Sequence, residues 1–258
     1  MTRAPAGFFG GAWRVAARNL VVWRTYAGAS ALGNFGEPLL YLVAMGYGLG
    51  RVVPDLGGMS YAEFIAPGLV LSTVMYAATF EGTFGAYTRL ETQRTFEAIL
   101  ATPITPVELA AGEILWGGIK AALGAAAVLV VVALFGLVPS WLALLTVPLG
   151  LLAGVMFTAM ALVVTGLSHS YETSNYYFTL VVAPMFLFSG IFFPLEQMPD
   201  WVQLGARALP LTPVVVLARG LVRGTLSLGH LAPLGATLAF TAVACVVAVW
   251  LLARRLRV

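Results

Sequence analysis

The sequence predicts an all-α integral membrane protein with six transmembrane helices. Hydrophobic residues make up 60% of the 258 residues and charged residues only 10%, whereas soluble domains carry about 25% charged residues. The runs 121–171, 173–195 and 224–253 contain no Asp, Glu, Lys or Arg. Since a helix needs about 20 apolar residues to cross the hydrocarbon, the first run is long enough for two spans. Lipid is therefore expected to cover much of the surface.

The N-terminal segment, residues 1–26, is predicted to be an interfacial amphipathic helix. Phe9 and Trp13 lie on an apolar stripe at helical spacing, and Arg14 lies on the opposite side. Aromatic residues on one face and arginine on the other suit a helix that lies at the membrane surface. The arginines also interrupt any apolar core of a signal peptide, so no cleavable leader is expected.

Six apolar stretches of helical length follow, and together they predict a single transmembrane domain over 1–258. The predicted spans are 27–49, 62–86, 110–137, 141–167, 175–193 and 231–252. The segment 194–230 differs, because charged residues and prolines interrupt it. It is predicted to form short external re-entrant helices before the sixth span, held between neighbouring helices.

The distribution of arginine predicts the orientation. With the N-terminus in the cytoplasm, the inside segments hold nine arginines and the outside segments four, as the positive-inside rule requires. Both termini are then cytoplasmic, and the chain is expected to be a multi-pass membrane protein.

The loop after the second span, residues 87–108, holds four charged residues in the nine positions from Arg89 to Glu97. Glu91, Arg94 and Glu97 are three positions apart, so neighbours among them can pair along a helix. Pro103 and Pro106 are expected to end that helix. A short charged helix on the cytoplasmic face is a plausible surface for docking another protein.

Two glutamates are predicted to lie within spans. Glu37 falls near the middle of the first span and Glu81 near the cytoplasmic end of the second. An ionised side chain at the bilayer centre costs about 3 kcal/mol on insertion scales, so such residues usually face protein or water. They either line a substrate path or a subunit contact, or they make structural hydrogen bonds between helices, and the sequence leaves both interpretations open.

The chain has none of the common catalytic motifs. It contains no P-loop, no H-E-x-x-H, no paired C-x-x-C and no G-x-S-x-G. Ser168 and His169 are adjacent in sequence, which is no evidence for a catalytic pair. A net charge of +3 is too small to indicate nucleic-acid binding, and no metal site or cofactor is expected in this chain.

Short motifs follow one another in a fixed order along the chain: G-E-P-L-L-Y-L (36–42), G-Y-G-L-G (46–50), A-P-G (66–68), A-T-F-E (78–81), R-L-E-T-Q-R-T (89–95), G-E-I-L-W (112–116) with Lys120, S-G-I-F-F-P-L-E-Q-M-P (189–199) and A-L-P-L (208–211). This ordered set resembles the membrane subunit of type 2 ABC exporters, and in particular the nodulation-factor exporter permeases (the NodJ family). Each motif is modest, but together they cover nearly the whole chain in the same order.

The resemblance implies a bacterial inner-membrane location, a mechanism and a set of partners. Two permease subunits would pair in the membrane and bind two copies of an ABC ATPase, which would hold the ATP and Mg²⁺. A coupling helix would dock on that ATPase. The resemblance maps it onto 87–100, and the expected contact residues are Arg89, Glu91, Arg94, Thr95 and Glu97. The expected substrate is an amphipathic lipo-oligosaccharide or a related lipid-linked glycan.

The same resemblance makes the segment before the sixth span an expected external gate, with Phe193, Pro194, Glu196 and Pro199 as its residues. A drug-efflux permease of the same architecture is the alternative within transport. A membrane-embedded lipid-modifying enzyme is a more distant alternative, since it needs clustered acids, histidines or a nucleophile. A structural scaffold would not need the charged cytoplasmic helix.

Overall fold

The computed structural model describes residues 7–28, 36, 38–52 and 58–256, which form helices joined by short turns, with no strand among them. In chain order the helices are α1 (Phe8–Arg24), α2 (Tyr61–Thr92), α3 (Thr95–Leu100), α4 (Pro106–Leu134), α5 (Trp141–Leu167), α6 (171–188), α7 (Asp200–Arg207), α8 (Leu211–Arg223) and α9 (Leu228–Arg255). A π-helical segment, Leu42–Gly48, and a 3₁₀ turn, Leu49–Arg51, precede α2. The predicted all-α class is confirmed.

Four of the described helices are long and apolar enough to cross a membrane, namely α2, α4, α5 and α9. The pair α7 and α8, bent by 88°, would be a fifth if it formed one broken span. The prediction that this is a membrane protein with several spans is therefore confirmed in its coarse form.

Helix α2 is the centre of the bundle, since 83% of its most apolar window is buried inside the chain. It begins with a capping box, in which the Ser60 hydroxyl accepts from the Glu63 amide and the Glu63 carboxylate accepts from the Ser60 amide. It contains two π-helical turns, Glu81–Gly85 and Thr88–Thr92, and the second lies past the predicted end of the second span. Helix α2 ends at Thr92, and Arg94 then adopts φ 50° before α3 begins. The single helix expected over 87–100 is therefore divided between the end of α2 and α3.

Close backbone approach holds α4 against α5. A Cβ on Gly154 would lie 2.8 Å from the Ala121 Cβ and 3.0 Å from the Gly118 Cα, nearer than side chains tolerate. Small residues at such a crossing let two membrane helices pack through their backbones. Helix α4 begins at Pro106, and Thr105 and Glu108 form a second capping box at its N-terminus.

Helix α1 packs on the first half of α4 through its small residues. Val15 and the Ala12 carbonyl occupy the space beside Gly112 that a Cβ would need. The predicted aromatic stripe points away from this contact, with Phe9 85% and Trp13 55% exposed. The helix is observed, with Phe9, Trp13 and Arg14 all exposed, and its position at the membrane surface stays a prediction.

Helix α6 runs antiparallel to the second half of α2. At one end the Tyr171 hydroxyl lies 2.9 Å from the Thr92 hydroxyl, and further along the rings of Phe178 and Tyr76 stack at 6.4 Å. At the other end the chain leaves α6, and the Tyr61 hydroxyl donates to the Phe192 carbonyl at 3.1 Å. These contacts place α6 beside the second half of α2, and the segment after α6 beside the first turn of α2.

Candidate functional site

A buried group of polar side chains joins α1, α2 and α4, and we refer to Asn19, Glu81, Arg89, Glu113 and Lys120 as the ion cluster. Arg89 donates from Nη1 to Glu81 Oε1 at 2.7 Å and from Nη2 to Glu113 Oε2 at 2.6 Å. Lys120 Nζ donates to Glu81 Oε2 at 2.6 Å. Asn19 Nδ2 completes the group by donating to Glu113 Oε1 at 2.7 Å.

The backbone of α2 explains how Glu81 and Arg89, eight positions apart, reach the same neighbours. In a regular α-helix two such side chains point about 80° apart. The stretches Glu81–Gly85 and Thr88–Thr92 are π-helical, and i→i+5 bonding puts more residues in each turn. The smaller rotation per residue turns both side chains toward α4.

The partners on α4 need no such distortion. Glu113 and Lys120 are seven positions apart, which is close to two turns, so both lie on one face of the helix. Asn19 reaches Glu113 because α1 crosses α4 at Gly112, one position earlier. The ion cluster is therefore a product of three helices that meet at one level.

The ion cluster balances its own charge, with two carboxylates and two cations. Its side chains are 13% exposed for Arg89, 4% for Glu81, 1% for Glu113 and 11% for Lys120. Burying an ion costs several kcal/mol unless good geometry and further hydrogen bonds offset it. Each carboxylate here accepts from two donors, so each charge has partners, and removal of one member would leave an uncompensated charge.

A cavity of about 510 Å³ lies directly against the ion cluster. Its charged side is formed by Glu81, Arg89 and Lys120. The rest of its wall is largely aromatic and includes Tyr26, Tyr41, Tyr76, Phe80, Phe178 and Phe186. A chamber with an apolar wall and a few convergent polar groups has the usual character of a ligand site. This chamber matches a molecule that is apolar at one end and polar at the other.

The expected ATPase contacts divide into two groups in the structure. Arg94 and Glu97 are 74% and 67% exposed and lie 3.9 Å apart, and Thr95 begins α3 between them. Phe96 on the same short helix is fully buried and anchors α3 to the bundle. Arg89 lies instead inside the ion cluster, because α2 continues through its position rather than ending before it.

Glu91 is also tied into the bundle, through the end of α9. Arg255 donates from Nη2 to Glu91 Oε1 at 2.6 Å and from Nη1 to the Ser168 carbonyl at 2.6 Å. It also donates to the Thr165 carbonyl, so one guanidinium binds the carbonyl end of α5, where a cation is favoured. Arg255 thereby connects the C-terminal ends of α2, α5 and α9.

At the opposite end of the bundle, the chain after α6 folds back into the core. Phe192 is 4% exposed and packs against Phe186 at 5.1 Å, whereas Phe193 is 51% exposed. Arg219 of α8 donates to the Gly190 carbonyl at 2.8 Å and lies over the Phe64 ring at 4.0 Å. The inward-facing aromatic residue of this segment is therefore Phe192.

The other residues of the expected gate lie near the surface. Pro194 is half-buried, and Glu196 and Pro199 are exposed. Phe192 also meets Tyr41, whose ring centre is 5.8 Å away, and Tyr41 lines the cavity. The segment thus contacts the aromatic wall of the cavity through Phe192.

The sequence pointed to Glu81 but not to its partners. Glu37, the other predicted intramembrane acid, lies outside the described residues. Glu113, Asn19 and Arg255 were missed because their pairings connect positions far apart in the chain. A signal existed for the pair on α4, since Glu113 and Lys120 share one face of an otherwise apolar helix.

These features define a class of protein: a membrane protein of several spans, built around a charged cluster and an amphipathic chamber. A family model described as ABC-2 type transporter matches residues 12–222, and the chain belongs to that family. The resemblance predicted from the motifs is confirmed.

Named relatives extend the comparison. The chain is 42% identical to "Nodulation protein J" of Rhizobium leguminosarum bv. trifolii over 82% of its own length and 80% of the relative. It is 36% identical to "Nodulation protein J" of Neorhizobium galegae over 95% and 92% of the two chains. It is also 28% identical to "Inner membrane transport permease YadH" of Escherichia coli (strain K12), over 73% and 72%.

Proposed function

We propose that this chain is the permease subunit of an ATP-driven exporter that moves an amphipathic substrate, a lipo-oligosaccharide or a related lipid-linked glycan. The observation that carries the proposal is the cavity beside the ion cluster. Its aromatic wall suits an acyl chain, and its polar side suits hydroxyl or charged groups. Arg89 lines it, and Arg89 Nε has no hydrogen-bond partner among the described residues. The similarity to proteins named for nodulation supports the glycolipid class.

The proposed topology has six spans with both termini in the cytoplasm of a bacterial cell. The four long helices supply four spans, and α6 supplies the fifth. Its 18 residues cover about 27 Å, nearly the thickness of the hydrocarbon. The segment 38–51 belongs to the first span, since Gly46 lies against Ala62 at the start of α2. In this topology α7 and α8 are external re-entrant helices rather than a span.

The proposed assembly contains two copies of this permease and two copies of an ABC ATPase, which binds ATP and Mg²⁺. Helix α3 is the coupling helix in this proposal. Phe96 fixes it to the bundle, and Arg94 and Glu97 face outward, where an ATPase can bind them. Movement of α3 would reach the cavity through α2, because Arg89 lies only five positions before Arg94.

The experiment is a transport assay with the permease and its ATPase reconstituted in vesicles. Tyr76→Ala removes one aromatic ring from the cavity wall. Tyr176→Ala is the matched control, since Tyr176 is 64% exposed and does not line the cavity. We expect Tyr76→Ala to reduce lipo-oligosaccharide export and substrate-stimulated ATP hydrolysis, with both retained in the control. Equal export by the two variants would contradict the assignment of the cavity.

The same vesicles separate the two transport hypotheses. Stimulation of ATP hydrolysis by a lipo-oligosaccharide, and none by a hydrophobic cationic drug, is the result expected of a glycolipid exporter. The reverse pattern would favour drug efflux by the same architecture.

A further inference from the structure

A second concave surface lies on α9, away from the ion cluster and its cavity. It is an open groove of about 910 Å³ between the start of α4 and the last turns of α9. Val107 forms the α4 side, and Val246 and Trp250 lie along the α9 side. We refer to this surface as the α9 groove. Nothing in the proposed export mechanism uses it.

The residues along the α9 groove are apolar, and one end of the groove is charged. Val246, Trp250 and Arg254 are four positions apart, so they form one stripe along the helix. Cys245 marks the far end of the groove, nine residues or about 13 Å from Arg254. That length is close to half of the roughly 30 Å hydrocarbon core. The groove therefore extends over about one leaflet.

The two adjacent arginines at the end of α9 have different environments. Arg255 points into the bundle, where it binds Glu91 and two carbonyl groups. Arg254 lies over the Trp250 ring at 5.7 Å and is exposed. Among the residues that the structure describes, no carboxylate forms an ion pair with Arg254. An unpaired cation thus lies at the mouth of an apolar groove.

We infer that the α9 groove binds an anionic phospholipid, with an acyl chain along Val246 and Trp250 and the phosphate on Arg254. Tryptophan is enriched at the level of the headgroups, and arginine is enriched beside the cytoplasmic ends of spans. Basic pockets beside spans on the cytoplasmic side bind anionic headgroups. The leaflet assignment rests on the proposed topology, since that topology places the end of α9 in the cytoplasm. The charge of Arg254, rather than apolar area alone, gives the preference for an anionic lipid.

The test measures lipid preference at Trp250 itself. The full chain is placed in vesicles that contain brominated phosphatidylglycerol or brominated phosphatidylcholine with matched acyl chains. Bromine quenches nearby tryptophan, and subtracting the signal of Trp250→Phe isolates the quenching at that site. We expect stronger quenching by phosphatidylglycerol. Arg254→Gln should lower the ratio of the two association constants about fivefold, the change that corresponds to ~1 kcal/mol per arginine near an anionic surface.

Two controls make the outcome decisive. Arg207→Gln removes an exposed arginine elsewhere and should keep the preference, and Arg254→Lys should keep most of it. Equal quenching by the two lipids in the unmodified chain, or an unchanged ratio in Arg254→Gln, would overturn the inference and leave ordinary lipid contact. Neither result depends on export, so failure here is distinct from failure of the proposed function.

Discussion

Replacing Arg89 with glutamine should destabilise the fold more than any substitution of an exposed arginine. Arg89 is 13% exposed and bridges Glu81 and Glu113. Without it, Glu81 keeps Lys120, but Glu113 keeps only the Asn19 amide. Breaking a buried ion pair by removing one partner costs about 3–5 kcal/mol. At ~2–4 °C per kcal/mol, the expected fall in Tm is on the order of 10 °C.

The assay is thermal unfolding of the purified chain in one detergent, followed by tryptophan fluorescence. Arg94→Gln is the matched control, because Arg94 is 74% exposed and surface pairs contribute about 0–1 kcal/mol. The double variant Arg89→Gln with Glu113→Gln should recover part of the loss, since Glu81 and Lys120 then remain as a neutral pair. The reasoning is refuted if Arg89→Gln unfolds at the same temperature as Arg94→Gln, or if the second substitution deepens the loss.

Three further outcomes follow from the same contacts. Arg255→Gln should lower Tm by several degrees because three acceptors lose a charged donor, while Arg254→Gln should leave it within about a degree. Gly154→Ala should cost about 1–3 kcal/mol through overpacking, measured by the same melt, whereas Gly205→Ala adds a Cβ to open space and should be neutral. For the topology, the variant Arg207→Cys should react with an impermeant thiol reagent on intact cells. Labelling only after lysis would contradict the proposed orientation.

The fold class could be predicted because the apolar runs are long and their composition leaves few alternatives. The boundaries were harder to predict where one helix runs beyond its apolar stretch. Helix α2 continues to Thr92 through polar residues because Arg89 and Glu91 find partners on α4 and α9. Those partners stabilise one continuous helix across residue 87, where the sequence predicts the end of the span and a separate cytoplasmic helix.

For the candidate site too, the local sequence predicts some residues, whereas others depend on contacts between distant parts of the chain. Glu81 could be identified because a lone acid within an apolar span needs a partner. Arg89 was expected to contact the ATPase, because the resemblance maps the coupling helix onto 87–100. The π-helical turns that rotate it inward depend on packing against α4, and no local motif indicates them. Phe192 rather than Phe193 faces inward for a similar reason, since Gly190 at φ 78° sets the direction of the turn.

The central claim is that ATP hydrolysis in a partner subunit drives transport through this chain by way of α3. The most direct measurement is the ratio of substrate exported to ATP hydrolysed by the reconstituted complex carrying Arg94→Glu. Arg207→Glu serves as the control for an added negative charge at an exposed arginine. The account predicts that the ratio falls several-fold in Arg94→Glu and is unchanged in Arg207→Glu. A normal ratio in Arg94→Glu would contradict the assignment of α3 as the coupling helix.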